Sequence, residues 1–212
     1  MTRRAVLWAE FLALFAGAPL AIALFLPPRE MFTALFAFAL VGLGLLWWTG
    51  NFDWRNLLRG WGRVSWTRSI AFGGLVAVTG FAIMRLSQPG FRPDLSPDRL
   101  GFLLVLWCLY PLLSALPQEL IFRSLFFHRY GGLFPGAAQA RLANAALFSL
   151  AHLMYWSWVV LALTFLGGLV FAHVYLRRGF PAVWVLHGIS GNVLFTVGMG
   201  RYFFSGNVVQ PF

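Results

Sequence analysis

Apolar residues run almost unbroken for long stretches of this chain, and arginine, aspartate or proline appears where each run stops. A membrane-crossing helix needs about 20 mostly apolar residues. The pattern therefore predicts spans at about Val6 to Leu26, Met31 to Trp48, Ser69 to Met84, Leu100 to Phe122, Leu142 to Trp156, Trp158 to Leu176 and Ala182 to Met199. The first two should form an antiparallel hairpin about the link Pro27-Pro28-Arg29-Glu30. Between the second and third spans, Arg55, Arg59, Arg63 and Arg68 alternate with tryptophans, a pattern that suits a short interfacial helix or a positive loop. Three prolines keep the segment from Arg85 to Arg99 from forming a continuous helix. A polar turn is expected from Phe127 to Gln139.

These elements predict an all-α fold, a polytopic membrane helical bundle of about seven to eight transmembrane helices. No internal repeat or sustained heptad is visible, so residues 1–212 read as one integral membrane domain with a motif-bearing core at about 100–200. Gly167-Gly168 and Ala145-Ala146 would let neighbouring helices approach closely.

Composition agrees. The 212 residues are 60% hydrophobic and 10% charged, against roughly a quarter charged in soluble domains. All 16 basic residues are arginine, and the net charge is +10. They sit at the ends of apolar runs rather than in one patch, so topology explains them better than nucleic-acid binding. The positive-inside bias places the N-terminus in the cytoplasm, and a bacterial inner membrane is the expected location. The first apolar run continues past Pro19 without an Ala-x-Ala-like cleavage site and reads as a retained span. Cys108 is the single cysteine, which excludes an intramolecular disulfide and a thiolate-built structural metal site.

The polar residues inside the apolar runs change the picture. A carboxylate near a helix centre costs about 2.5 to 3.5 kcal/mol on insertion scales, so Glu119 needs a compensating partner. Arg123 is the nearest, at i,i+4, with Gln118 beside it. Standing alone, this pair reads as a structural ion pair. His152, four residues after Phe148, and His187 lie on two further spans, and three ionisable side chains on three helices suggest a shared cavity. Asn192 is five residues after His187, about 140° around an ideal helix, and faces the same cavity only if Gly188 and Gly191 permit a π-bulge or kink. His128 and His173 lie beside arginines near span ends, where a solvated role is expected, and Glu10 should reach the interface. A buried carboxylate can act as a general base toward water, with a histidine holding the water or protonating the leaving amine. A second histidine and an amide can stabilise an oxyanion. The same carboxylate and two histidines could instead hold Zn²⁺ with an open position.

The ordered segments Gln118-Glu119-Leu120-Ile121-Phe122-Arg123, Phe148-Ser149-Leu150-Ala151-His152, and His187 with Asn192 resemble the motifs of the CAAX protease and bacteriocin-processing (CPBP, Rce1-like or ABI) family of intramembrane endopeptidases. The resemblance covers about Gln118 to Asn192. It implies that Glu119 is the carboxylate base, His152 its partner on the water, His187 and Asn192 the oxyanion stabilisers, and Arg123 a positioning residue. The implied partner is a membrane-anchored protein or peptide substrate within the lipid bilayer. No cofactor is required, although zinc held by Glu119, His152 and His187 stays open. Two positions depart from the family pattern. Gln118 stands where the first of two consecutive glutamates is usual, and Gly191 where asparagine is usual. Gln118 also favours an alternative, a non-catalytic relative acting as a membrane binding or immunity protein. A transporter using the same cluster for ion passage is a third reading, against which no inverted-repeat signal is seen.

Overall fold

The computed structural model describes residues 2–94, 96–204 and 208–209. Seven main helices follow in chain order: α1 (Arg3–Phe25), α2 (Pro28–Thr49), α3 (Trp66–Ser87), α4 (Pro97–Leu133), α5 (Ala137–Ala151), α6 (Trp158–Arg178) and α7 (Phe180–Thr196). Five of them, α1, α2, α3, α4 and α6, are long and apolar enough to cross a membrane. Among the described residues there is no strand. The protein is an all-α integral membrane bundle, because only such closed backbone hydrogen bonding satisfies the peptide groups of consecutive apolar runs in lipid.

Several boundaries differ from the sequence reading. The segment after α2 holds two short 3₁₀ turns, Trp54–Leu57 and Trp61–Arg63, rather than an interfacial helix. The span expected to end near Phe122 continues to Leu133, and the polar turn shrinks accordingly. His128 and Arg129 look like loop residues in sequence, but the bundle supplies partners for them. Arg129 Nε and Nη2 donate to Glu10 at 2.5 and 2.8 Å, and its Nη1 donates to Thr49 Oγ1 at 2.7 Å. His128 Nε2 lies 3.1 Å from the Gly50 carbonyl. Part-buried Glu10 accepts from Arg129 and from the Tyr130 hydroxyl, joining α1 to α4. The span expected to end near Trp156 stops as an α-helix at Ala151 and is followed by a 3₁₀ turn, Leu153–Tyr155, with Trp156 left-handed at φ 48°.

Helix α4 carries two π-helical segments, Pro111–Ala115 and Leu120–Tyr130. Pro111 and Pro117 lack the N–H that closes a regular turn and crowd the preceding carbonyls, and a widened turn relieves both problems. Such segments are frequent at functional sites. In α4 they flank Glu119 on both sides.

Aromatic side chains fill the space between α1 and α4. Phe15 meets Phe122, Phe126 and Tyr130 edge-on, with centroids 5.5 to 5.7 Å apart, and all four are buried. On the opposite side, α7 packs against α3 and α6, and α5 packs against α6. Small residues set these approaches. Gly168 of α6 lies against Ala145 of α5, where an added Cβ would be 3.0 Å from the Ala145 Cα, so the close approach expected of these residues is realised. At Gly73 of α3, an added Cβ would lie 2.9 Å from Ile189 Cγ2 on α7. Gly73→Val should therefore overpack this seam and destabilise the fold by about 1–3 kcal/mol, read as a lower unfolding midpoint in detergent.

Candidate active site

Glu119 closes the α-turn between the two widened segments of α4 and is fully buried. Its two oxygens have different neighbours. Oε1 accepts from His187 Nδ1 of α7 at 2.8 Å, and Oε2 lies 3.2 Å from Arg123 Nε. Arg123 is also fully buried. Its Nη1 donates to Asn144 Oδ1 of α5 at 2.5 Å, while the Asn144 amide donates to the Phe122 carbonyl. The Arg123 guanidinium lies 5.0 Å from the Phe148 ring centroid and 5.8 Å from that of Phe171. The arginine thus combines an opposite charge, a neutral acceptor and two aromatic rings, which together offset its removal from water. Asn144 has no counterpart in the motifs read from sequence. An asparagine inside the otherwise apolar stretch 142–147 was the available signal.

His187 is held at three places. Its Nδ1 donates to Glu119, its ring stacks on Phe171 at 4.7 Å, and its Nε2 lies 3.3 Å from the Tyr110 hydroxyl. In the neutral imidazole with Nδ1 donating to the carboxylate, Nε2 presents its lone pair and Tyr110 donates to it. His152 shows the same tautomer for a different reason. Its Nδ1 is 2.7 Å from the Phe148 carbonyl, which can only accept, so Nε2 is again the unprotonated nitrogen. Phe148 therefore supports both sides of the site, by its carbonyl on His152 and by its ring on Arg123.

His152 and His187 both line a cavity of about 740 Å³ whose other polar lining includes Tyr110, Gln118 and Tyr155. The remaining walls are mostly apolar side chains from the surrounding helices. This size falls within the range of ligand-binding cavities, about 300–1,000 Å³. Gln118, rather than Glu119, is the polar α4 residue of the motif that fronts the cavity. Its Nε2 donates to Ser114 Oγ at 2.9 Å, and its Oε1 has no hydrogen-bond partner. Glu119 sits behind His187 and reaches the cavity through that imidazole.

Asn192 is placed differently from expectation. Helix α7 runs as a regular α-helix through Gly188 and Gly191 without the anticipated bulge, so Asn192 stays on another face and donates to the Trp107 carbonyl at 3.1 Å. The glycines serve packing instead: Gly188 lies against Pro111, and Gly191 against the ring of Tyr110. His173 accepts from Arg141 at 3.1 Å on an exposed surface, away from this cavity. Among the described residues, no group of three or more His, Cys, Asp or Glu side chains is placed to hold a metal ion. Glu119 Oε1 and His187 Nδ1 are bonded to each other rather than converging with His152 as independent donors.

The arrangement is a carboxylate–imidazole dyad with an arginine beside the carboxylate, opening on a mostly apolar cavity that a second imidazole also lines. Such a dyad can take a proton from water, since the carboxylate orients the ring and stabilises the imidazolium that forms. Residues 100–193 match the family model described as type II CAAX prenyl endopeptidase Rce1-like. The matched stretch contains Gln118, Glu119, Arg123, His152, His187 and Asn192. No curated protein and no solved structure matches the chain.

Proposed function

We propose that this chain, whose residues 100–193 match the Rce1-like family model, is an intramembrane endopeptidase that hydrolyses a peptide bond near the lipid-anchored end of a membrane-associated substrate. The observation that carries this reading is the buried Glu119–His187 hydrogen bond beside a membrane-embedded cavity that also receives His152.

In the proposed reaction a water molecule sits between the Nε2 atoms of His187 and His152. As its oxygen attacks the scissile carbonyl carbon, one proton passes to His187 Nε2, and the carbonyl π pair moves onto oxygen. Glu119 stabilises the resulting imidazolium. Collapse of the tetrahedral species breaks the C–N bond, and the proton on His187 passes to the leaving amine. Glu119 thus acts on the water through His187, and His152 holds the second hydrogen. Arg123 keeps the carboxylate in place. Apolar cavity walls suit a lipid-anchored chain and exclude bulk water.

The test uses purified protein in liposomes with a lipid-anchored peptide whose C-terminal segment carries a quenched fluorophore. Wild type should cleave it, and His152→Ala should lower the rate by about 10²- to 10⁴-fold, the range for a group acting on the transferred proton. EDTA should leave the wild-type rate unchanged. An inert wild type that becomes active on Gln118→Glu would favour the second reading, a non-catalytic relative, which the neutral Gln118 side chain supports.

A further inference from the structure

We propose that the Tyr110 hydroxyl is the oxyanion donor of this site, a catalytic role that rests on the endopeptidase reading. Tetrahedral intermediates of peptide hydrolysis need a preorganised donor aimed at the carbonyl oxygen. Asn192, the donor suggested by sequence, is turned to the Trp107 carbonyl. Gln118 donates one amide hydrogen to Ser114 and leaves an acceptor oxygen without a partner. His187 spends its Nδ1 hydrogen on Glu119, and His152 spends its own on Phe148. Tyr110 and Tyr155 both line the cavity, and the Tyr110 O–H is placed against the dyad, 3.3 Å from His187 Nε2.

Its position is built into the helix packing. Tyr110 directly precedes the widened turn Pro111–Ala115 of α4. The facing stripe of α7 accommodates that corner: Trp184 Nε1 donates to the Pro111 carbonyl at 2.6 Å, Gly188 lies against the Pro111 ring, and Gly191 against the phenol. A Cβ at position 191 would collide with the Cε1, Cζ and hydroxyl oxygen of Tyr110. The phenol therefore occupies the volume that a side chain at 191 would fill, one turn along α7 from His187. In the resting site its hydrogen is on His187 Nε2 through a long bond. When water takes that nitrogen, the hydroxyl is released to turn toward the carbonyl oxygen of the substrate. It donates a hydrogen bond there and transfers no proton.

Tyr110→Phe removes the hydroxyl and keeps the ring, so the packing against Gly191 persists. In the liposome assay the variant should lose about 100-fold in kcat, the effect of removing one oxyanion donor, with KM within about threefold of wild type. A peptide phosphonate that mimics the tetrahedral species should bind the variant more weakly by a similar factor, because the donor acts only on that species. A merely structural tyrosine would not separate phosphonate affinity from KM in this way. A fall in kcat below tenfold, or an unchanged phosphonate affinity, overturns the assignment while leaving the endopeptidase reading intact. Absence of cleavage by wild type sinks that reading and this inference with it.

Discussion

Glu119→Gln should lower the cleavage rate by about 10³- to 10⁴-fold, because removing the charge behind a catalytic imidazole disturbs its tautomer and forfeits stabilisation of the imidazolium. The glutamine amide has nearly the same shape and can still meet His187 Nδ1, so the loss reports charge rather than volume. A 10³-fold loss corresponds to about 4 kcal/mol of transition-state stabilisation. Because Glu119 acts through His187, removing both should cost little more than removing one, as groups working as a unit are not additive. The measurement is turnover in liposomes at matched amounts of folded protein. A census of new peptide termini in host membranes carrying wild type or Glu119→Gln would also name the substrate. Equal rates for wild type and variant would remove the dyad from the mechanism.

Arg123→Met should have the largest effect on stability, about 3–5 kcal/mol, because it leaves a carboxylate uncompensated in a buried site. Both members of the pair are fully buried, with Arg123 Nε 3.2 Å from Glu119 Oε2. The substitution also removes the donor to Asn144 Oδ1. The double variant Glu119→Gln/Arg123→Met should recover much of that stability while staying inactive, since replacing both charges by neutral groups of similar size is often nearly neutral. Reversible unfolding in mixed detergent micelles measures both effects. A double variant no more stable than Arg123→Met would mean that the arginine contributes by packing on Phe148 and Phe171 rather than by charge. The double variant also supplies a folded, inactive control for the Glu119 experiment.

Much of this arrangement is legible in the linear chain. Long apolar runs closed by arginine and proline dictate membrane helices, because lipid offers the backbone no hydrogen-bond partners. The isolated Glu119, Arg123, His152 and His187 stand out for the same reason: an ionisable group in an apolar run requires a partner or a cavity. The i,i+4 spacing of Glu119 and Arg123 is a local property and needs no fold to be read. The π-helical course of α4 is less legible. Pro111 and Pro117 announce irregularity, but the continuation to Leu133 depends on two residues of other helices, Glu10, which neutralises Arg129, and Thr49, which accepts a hydrogen bond from it. Hydropathy sees the charge of Arg129 and ends the span; the bundle supplies the counter-charge and extends it.

What the sequence by itself determined is the membrane bundle and the identity of the charged and imidazole groups within it, since both follow from transfer free energies that belong to individual residues. Only the tertiary structure decided how those groups divide the work. It put Gln118 on the cavity and Glu119 behind His187, turned Asn192 to Trp107, and used Gly191 to admit Tyr110 to the dyad. Those assignments depend on which face each helix presents to its neighbours, and that is set by the widened turns of α4 and the glycine contacts of α7.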